Sequence, residues 1–375
     1  MSDLIYRPWY FARPALAKGY LEQLFNGPGD PLALFAPRRV GKTSFLLNEL
    51  TEAAVKRGSA PLYIDVWQNR SDVLSAINYA LQEALDDLAV PTGITARRLK
   101  TTVKKVGLAG AALEFGDEPA RRRPEEPALL VDWLLKSLIR AIRKPLVLMF
   151  DEIQELALVR EGDTVVAALR AAITKSRNHI RVIFTGSSQE QLLELFSRSR
   201  AALYEGASLV HFPLLDQAFI DFVVSRAKQR FRKRVDVGAL MAAFERLHYQ
   251  PRALLDLVLV YCASDETTLN AILDAQWEVL LASANFETLW QRLKPLQQRL
   301  CHRFAHGQGY SSSVARLDYA AHVGRKGHPL SPGTISSTVQ QLLKAHIIAR
   351  APSGRGSYLL DDPLFAEWIR RTKPV

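Results

Sequence analysis

Four residues of this sequence have types and spacing suited to phosphate chemistry. Lys42 and Thr43 sit in LFAPRRVGKTSFLL (34–47), Asp151 and Glu152 in LVLMFDEIQEL (146–156). Gly-Lys-Thr behind an apolar run closes the G-x-x-x-x-G-K-[ST] phosphate loop. The backbone N–H groups of such a loop converge on phosphates, its lysine reaches the terminal phosphates, and its hydroxyl meets Mg2+. Ala36 stands where the pattern has its first glycine. A methyl group is tolerated there as long as the backbone angles stay ordinary. Pro37, Arg38, Arg39, Val40, Gly41, Lys42, Thr43 and Ser44 are therefore expected to cradle the phosphates of ATP, at the positive end of a helix. An apolar strand ending in Asp-Glu puts Asp151 at the carboxyl edge of a sheet, where with Thr43 it can hold Mg2+. Glu152 then orients or deprotonates the attacking water.

Two further residues complete the candidate set. VIFTGSS ends a strand in small polar residues, so Ser187 or Ser188 can hydrogen-bond a γ-phosphate; a helix N-cap is an equally good reading and compatible with the first. In YQPRALLDL, Pro251 opens a helix and Arg252 either reaches the phosphates or is a surface arginine.

The elements that must position these residues alternate. PLALFA (31–36), PLYIDV (61–66), PLVLMF (145–150), RVIFTG (181–186) and SLVHF (208–212) read as buried strands. Helices are expected at 42–57, 72–88, 128–143, 163–177 and 189–198, which makes βαβ units and a parallel sheet. Residues 216–284 read as helices alone. Beyond them come helices near 288–304, 313–323 and 332–346, then two extended runs around a Gly-rich turn, the layout of a winged helix-turn-helix. The expected division is a core of 1–215 with an insertion at about 91–127, a helical lid of 216–285 and a winged helix of 286–375. The insertion is basic (Arg97, Arg98, Lys104, Lys105, Arg121, Arg122, Arg123) and reads either as a solvated segment or as a second DNA contact.

The 375 residues carry a formal net charge of +11, which favours a polyanionic partner. Residues 286–375 hold 13 Lys and Arg against 5 Asp and Glu, so most of that charge sits in the winged-helix region. In SPGTISSTVQQLLKAHI, Ile335, Val339, Leu342 and Leu343 are expected to face the core. Thr334, Ser337, Gln340, Gln341 and Lys344 then face double-stranded DNA, flanked at the wing by Arg350 and Arg355. A winged helix can also dock a protein instead. Two distant cysteines, Cys262 and Cys301, fit a reducing compartment. No apolar run reaches the ~18 residues of a membrane span, so a cytoplasmic location is expected.

Taken together, PRRVGKTS, FDEIQEL, FTGSS and PRALL resemble the AAA+ ATPases, nearest to the archaeal-type ATPases related to origin-recognition initiators. The resemblance implies an α/β P-loop core, an all-helical lid and a C-terminal winged helix. It implies roles for Lys42, Thr43 and Asp151 on phosphate and Mg2+, for Glu152 as catalytic base, and for Ser187 and Arg252 as sensors 1 and 2. It places YRPWYFARPAL beside the adenine. Members of this group often carry an LYGRA-like stretch before the fifth strand, whose arginine acts across a subunit interface. Here the chain reads RSRAALYEGASL, with Glu205 and Gly206 at that spot and Arg198 and Arg200 as nearby candidate fingers. The resemblance thus implies a Mg2+-dependent ATPase, slow without a homo-oligomer or partner protein to supply an arginine. It leaves two functions open: a DNA-engaging ATP switch, or a slow nucleotide-dependent regulator whose winged helix docks a protein.

Overall fold

A short strand that is apolar on both faces is stable only inside a parallel sheet covered on each side. The first half of the chain folds in that way. The computed structural model describes residues 7–28, 30–66, 68–69, 72–89, 123–157, 162–187, 192, 195, 207–265, 268–283, 285–324, 328–350 and 358–373. The chain divides into two compact units, Tyr10–Leu214 and a second made of Met1–Trp9 with Leu215–Val375.

In the first unit β1 (Leu32–Phe35), β2 (Ala60–Asp65), β3 (Leu146–Asp151), β4 (Ile180–Gly186) and β5 (Ser208–His211) form one sheet in the order β2-β3-β4-β1-β5. Every pair is parallel, and all five strands lie where the sequence places them. Alternation along the strands sorts side chains into two cores. Ala33, Leu146, Leu148, Phe150, Val182 and Phe184 face one side; Leu32, Leu34, Val147, Met149 and Ile183 face the other. The first side is covered by α3 (Val73–Ala89), α4 (Pro127–Ile142) and α5 (Gly162–Ser176). The second is covered by α1 (Pro14–Asn26) and α2 (42–56), a helix with a π-helical turn at Leu46–Leu50. Parallel pairing brings the carboxyl ends of all five strands to one edge, with Asp65 opposite Asp151 and Phe35 opposite both Gly186 and His211. Ligands of open α/β sheets bind outside that edge.

Among its described residues the second unit is helical except for one pair of antiparallel strands. Its first helices are α6 (Gln217–Phe231), α7 (Val237–Arg246), α8 (Pro251–Ala263) and α9 (Leu269–Ser283). The Asp216 and Asp236 carboxylates accept N–H bonds at the starts of α6 and α7, the capping expected of aspartate. Then come α10 (Phe286–Arg292), α11 (Pro295–Ala305), α12 (Ser313–His322), α13 (Pro332–Lys344), the antiparallel pair β6 (Ile348–Arg350) and β7 (Tyr358–Leu360), and α14 (Pro363–Thr372). Three helices, α11 to α13, are followed by a two-stranded ribbon, the element order expected from the sequence. One expectation is corrected: the single helix near 288–304 is two, α10 and α11. Pro295 has no N–H to give and forces the residue before it out of the α region, so it starts a helix and cannot continue one. Of the 91–127 insertion only residues 123–127 are described, and of the helix expected at 189–198 only Leu192 and Leu195 are; Arg97, Arg98, Lys104, Lys105, Arg121 and Arg122 lie outside the described residues.

Among the described residues, no helix is long and apolar enough to cross a membrane. Phe150 is fully buried at the centre of the sheet, its ring 5.5 Å from that of Phe184. Phe150→Ala is expected to destabilise the first unit by about 3–5 kcal/mol. Val55→Ala, at an exposed position, should stay within about 0.5 kcal/mol. Urea denaturation of the two variants against the native chain measures both.

Candidate nucleotide-binding site

β1 ends at Phe35 and the chain turns back through 36–41 into α2, whose N-cap is Gly41. Gly41 has φ +96°, and a Cβ there would meet nothing within 4 Å. The backbone angle, not the space, asks for glycine. Arg39 adopts φ +65°, a left-handed conformation that costs a non-glycine residue of order 1–2 kcal/mol. Ala36 has no positive φ. Its N–H points to the Gly186 carbonyl at 3.4 Å and its methyl is buried in the second core. Alanine therefore fits the turn-in position without strain. The Lys42 ammonium is buried and donates to the carbonyls of Ala36 (2.7 Å) and Pro37 (2.9 Å), closing the loop on itself.

Asp151, the last residue of β3, is buried. A desolvated carboxylate is costly unless hydrogen-bonded, and three hydroxyls donate to this one. Thr43 Oγ1 lies 2.6 Å from Oδ2, Tyr63 Oη 3.0 Å from Oδ2, and Thr185 Oγ1 bonds Oδ1. Burial first, and then the Asp151 carboxylate, push the Tyr63 phenol far above its ordinary range, so it stays a donor. The next residue, Glu152, leaves the strand with φ +55°. Its N–H reaches Thr185 Oγ1 (3.4 Å), and its Oε2 accepts from Ser187 Oγ (2.9 Å) and from Gln154 Nε2. Gln154 Nε2 also donates to Ser187 Oγ (3.1 Å), and so does Arg38 Nε (3.2 Å).

Lys42, Thr43, Asp151, Glu152 and Ser187, expected from the sequence, are thus joined at one edge of the sheet with Arg38. Tyr63, Thr185 and Gln154 were missed. Only the register of three adjacent strands brings the first two to Asp151, although a hydroxyl just before FTGSS's glycine was a visible sign. Gln154 is fully buried with an unpartnered Oε1. Gly186 makes room for it, since a Cβ at 186 would lie 2.7 Å from that oxygen and 2.9 Å from Leu192.

Tyr10, from the stretch expected beside the adenine, donates to the Ser44 carbonyl (3.3 Å) and to the buried Glu49 carboxylate. The Arg13 N–H donates to Glu49 Oε1 (3.0 Å), and its guanidinium covers Phe45 and Phe212. Tyr10 and Arg13 are thereby fastened to α2. Arg252 lies in the second unit, exposed on the first turn of α8 and 3.3 Å from Asp256. On α13, Thr334, Ser337, Gln340, Gln341 and Lys344 are exposed, with Ile335, Val339 and Leu342 buried and Leu343 half-buried. Ser188, Arg198, Arg200, Arg355 and the side chain of Arg350 lie outside the described residues.

The donors around Asp151 suit a hard cation. Thr43 and Asp151 offer a hydroxyl and a carboxylate 2.6 Å apart, oxygen ligands of the kind Mg2+ takes together with water and phosphate. Among the described residues no three His, Cys, Asp or Glu side chains cluster as a metal site.

No protein-family model matches the sequence and no curated protein matches it. Solved structures do. The Walker-type ATPase PABY2304 of Pyrococcus abyssi is similar at TM-score 0.61 and 20% identity over 97% of each chain. The ORC2 protein of Aeropyrum pernix, in its ADPNP–ADP complexes, is similar at 0.55 and 15% over 95% of this chain and 91% of that one. The ORC1 protein of Aeropyrum pernix in complex with DNA is similar at 0.50 and 15% over 98% and 94%. These likenesses show the fold, an α/β P-loop fold with a five-stranded parallel sheet. Within that class it is the architecture shared by an archaeal Walker-type ATPase and the archaeal origin-recognition proteins, over nearly the whole chain.

Gln154→Met removes the unpartnered buried oxygen and the two donated hydrogen bonds while keeping the volume. A buried oxygen without a partner costs about 1–3 kcal/mol, so thermal unfolding is expected at or above the native temperature. Glu152 keeps only the Ser187 tie at its carboxylate. A melting scan of the variant beside the native chain checks the direction.

Proposed function

We propose that this chain is an ATP-binding and ATP-hydrolysing molecular switch that engages double-stranded DNA through its C-terminal winged helix. The observation that carries the first half is the convergence of Lys42, Thr43, Asp151, Glu152 and Ser187 at one sheet edge. In this reading, residues 37–44 and the amino end of α2 take the phosphates, with the Lys42 ammonium exchanging loop carbonyls for phosphate oxygens. Thr43 and Asp151 hold Mg2+, which when bound offsets the charge on the phosphate oxygens. Glu152 orients and deprotonates the attacking water, Ser187 has the sensor-1 role and Arg252 the sensor-2 role. Tyr10 and its neighbours border the adenine. Residues 216–285 act as the lid and 286–375 as the DNA-engaging part.

Support for DNA comes from the polar, exposed face of α13 and from the charge concentrated in 286–375. It also comes from the similar architecture of ORC1, whose structure is described as a complex with DNA. Thr334, Ser337, Gln340, Gln341 and Lys344 are the proposed contacts, with Arg350 and Arg355 at the wing. One observation favours a second reading, in which the winged helix docks a protein. Val314 and Leu317, one turn apart on α12, are 73% and 46% exposed.

Phosphate release from ATP with and without duplex DNA tests the proposal. Glu152→Gln is expected to bind ATP and lose about 10²–10⁴ in turnover. Duplex affinity with roughly six phosphates contacted should fall with a slope near −5 in log K against log salt, and Lys344→Ala should lower that slope by about 1. Turnover that ignores Glu152→Gln would refute the hydrolytic assignment. No salt-sensitive duplex affinity, with nucleotide-dependent capture of a protein through Val314 and Leu317, would replace DNA by a protein partner.

A further inference from the structure

Beyond the base and the loop lysine, a second cation is wired into the site. Arg38 lies in the phosphate loop, half-buried, with Nε 3.2 Å from Ser187 Oγ. Ser187 Oγ in turn donates to Glu152 Oε2 at 2.9 Å. The guanidinium is therefore one hydroxyl away from the carboxylate assigned to the attacking water. It comes from the same loop whose lysine and N–H groups are proposed to take the phosphates.

That position has a chemical consequence. In the reaction, the water oxygen forms a bond to the γ-phosphorus while the bond from γ-phosphorus to the β–γ bridging oxygen breaks. The bridging oxygen keeps the electron pair and leaves as part of ADP, the water proton passes to Glu152 and on to solvent, and inorganic phosphate is the second product. Arg38 neither gains nor loses a proton. Negative charge spreads over the γ-phosphoryl oxygens as this happens, and an arginine placed on them is worth about 10³–10⁵ in rate whether it comes from the same chain or another. A guanidinium is suited to it, because its planar fork can hold Ser187 through one N–H and present others to phosphoryl oxygens, which an ammonium cannot do.

We propose that Arg38 is a catalytic residue that supplies this charge in cis, so that a single copy of the chain completes its own hydrolytic site. The inference rests on the ATPase reading above. It differs from a structural role for Arg38 in that it ties the residue to the γ-phosphate and leaves the contacts with the β-phosphate to residues 41–43.

The test uses the full chain with Mg2+ and three forms, native, Arg38→Gln and Arg38→Lys. ATP and ADP affinities are measured by calorimetry, and phosphate release is followed across a range of protein concentrations. Arg38→Gln is expected to bind ADP like the native chain, to lose about tenfold of its preference for ATP over ADP, and to lose about 10³-fold in turnover. Arg38→Lys, which keeps the charge, should recover part of the ATP preference and little of the turnover. Native turnover per molecule should not change with protein concentration. Equal turnover in native and Arg38→Gln chains overturns the inference and leaves the ATPase reading standing. So does turnover per molecule that climbs with concentration and ignores Arg38, since the arginine would then come from a second copy. A native chain that binds no ATP, or binds it without hydrolysis, sinks the ATPase reading and this inference with it.

Discussion

The structure of the site depends on one buried carboxylate. Asp151 sits at the end of the most buried strand of the sheet, where water cannot solvate it, and hydroxyls from three other segments do so instead. Tyr63 comes from β2, Thr185 from β4 and Thr43 from the phosphate loop after β1. A parallel sheet is what allows this, because it delivers the carboxyl ends of separate strands to a common edge. The same bonds fix the loop, since Thr43 is adjacent to Lys42 and opens α2. Removing any one donor would leave a buried charge less satisfied, a cost of several times an ordinary hydrogen bond.

Immediately after Asp151 the chain departs from local preference in a way the core does not. Glu152 takes a left-handed conformation, Arg39 takes another in the facing loop, and Gln154 buries an oxygen without a partner. Each opposes folding by an amount of order 1–3 kcal/mol. They lie within a few residues of the groups assigned to chemistry, while the strands beneath are regular and sorted into two apolar layers. Left-handed residues also occur away from this edge, at Arg143, which ends α4, and at Arg232, His248, Tyr249, Asn285 and His346 of the second unit, so what distinguishes Arg39 and Glu152 is their place beside Asp151 rather than the strain itself. Glu152's turn has a visible use, because it moves the carboxylate away from Asp151's hydroxyl cluster and onto Ser187 and Gln154.

The sequence made the elements legible because each strand of the core is a continuous apolar run bounded by turn residues, and each motif stands at a strand's carboxyl end. It made Asp151, Glu152, Lys42 and Thr43 legible as types at meaningful spacing. Tyr63, Thr185 and Gln154 were not legible, since their roles come from cross-strand register and from a missing Cβ at Gly186, neither of which has a local signature. Pro295 was legible in principle. Apolar periodicity running across 288–304 suggests one continuous helix, whereas the missing N–H and the ring's steric demand are absolute and break it there. Arg38 reads in the sequence as one loop residue among eight; its tie to Ser187 exists only because β1 and β4 are neighbours.

A switch needs contacts that exist with a triphosphate and vanish with a diphosphate, since a ligand shifts an equilibrium only through its differential affinity for the two states. Most of the loop cannot supply that difference. Under the proposed ATPase reading, the backbone N–H groups at the start of α2 would meet phosphates common to ATP and ADP. The group formed by Arg38, Ser187, Gln154 and Glu152 is different. In it the Ser187 hydroxyl gives one hydrogen bond and takes two. A hydroxyl so fully used can turn to a γ-phosphate only by releasing Glu152, and losing the phosphate restores the set. Under the proposed ATPase reading, sensing the nucleotide and freeing Glu152 would be one event, and this cluster, rather than the loop, would be the element whose state distinguishes ATP from ADP.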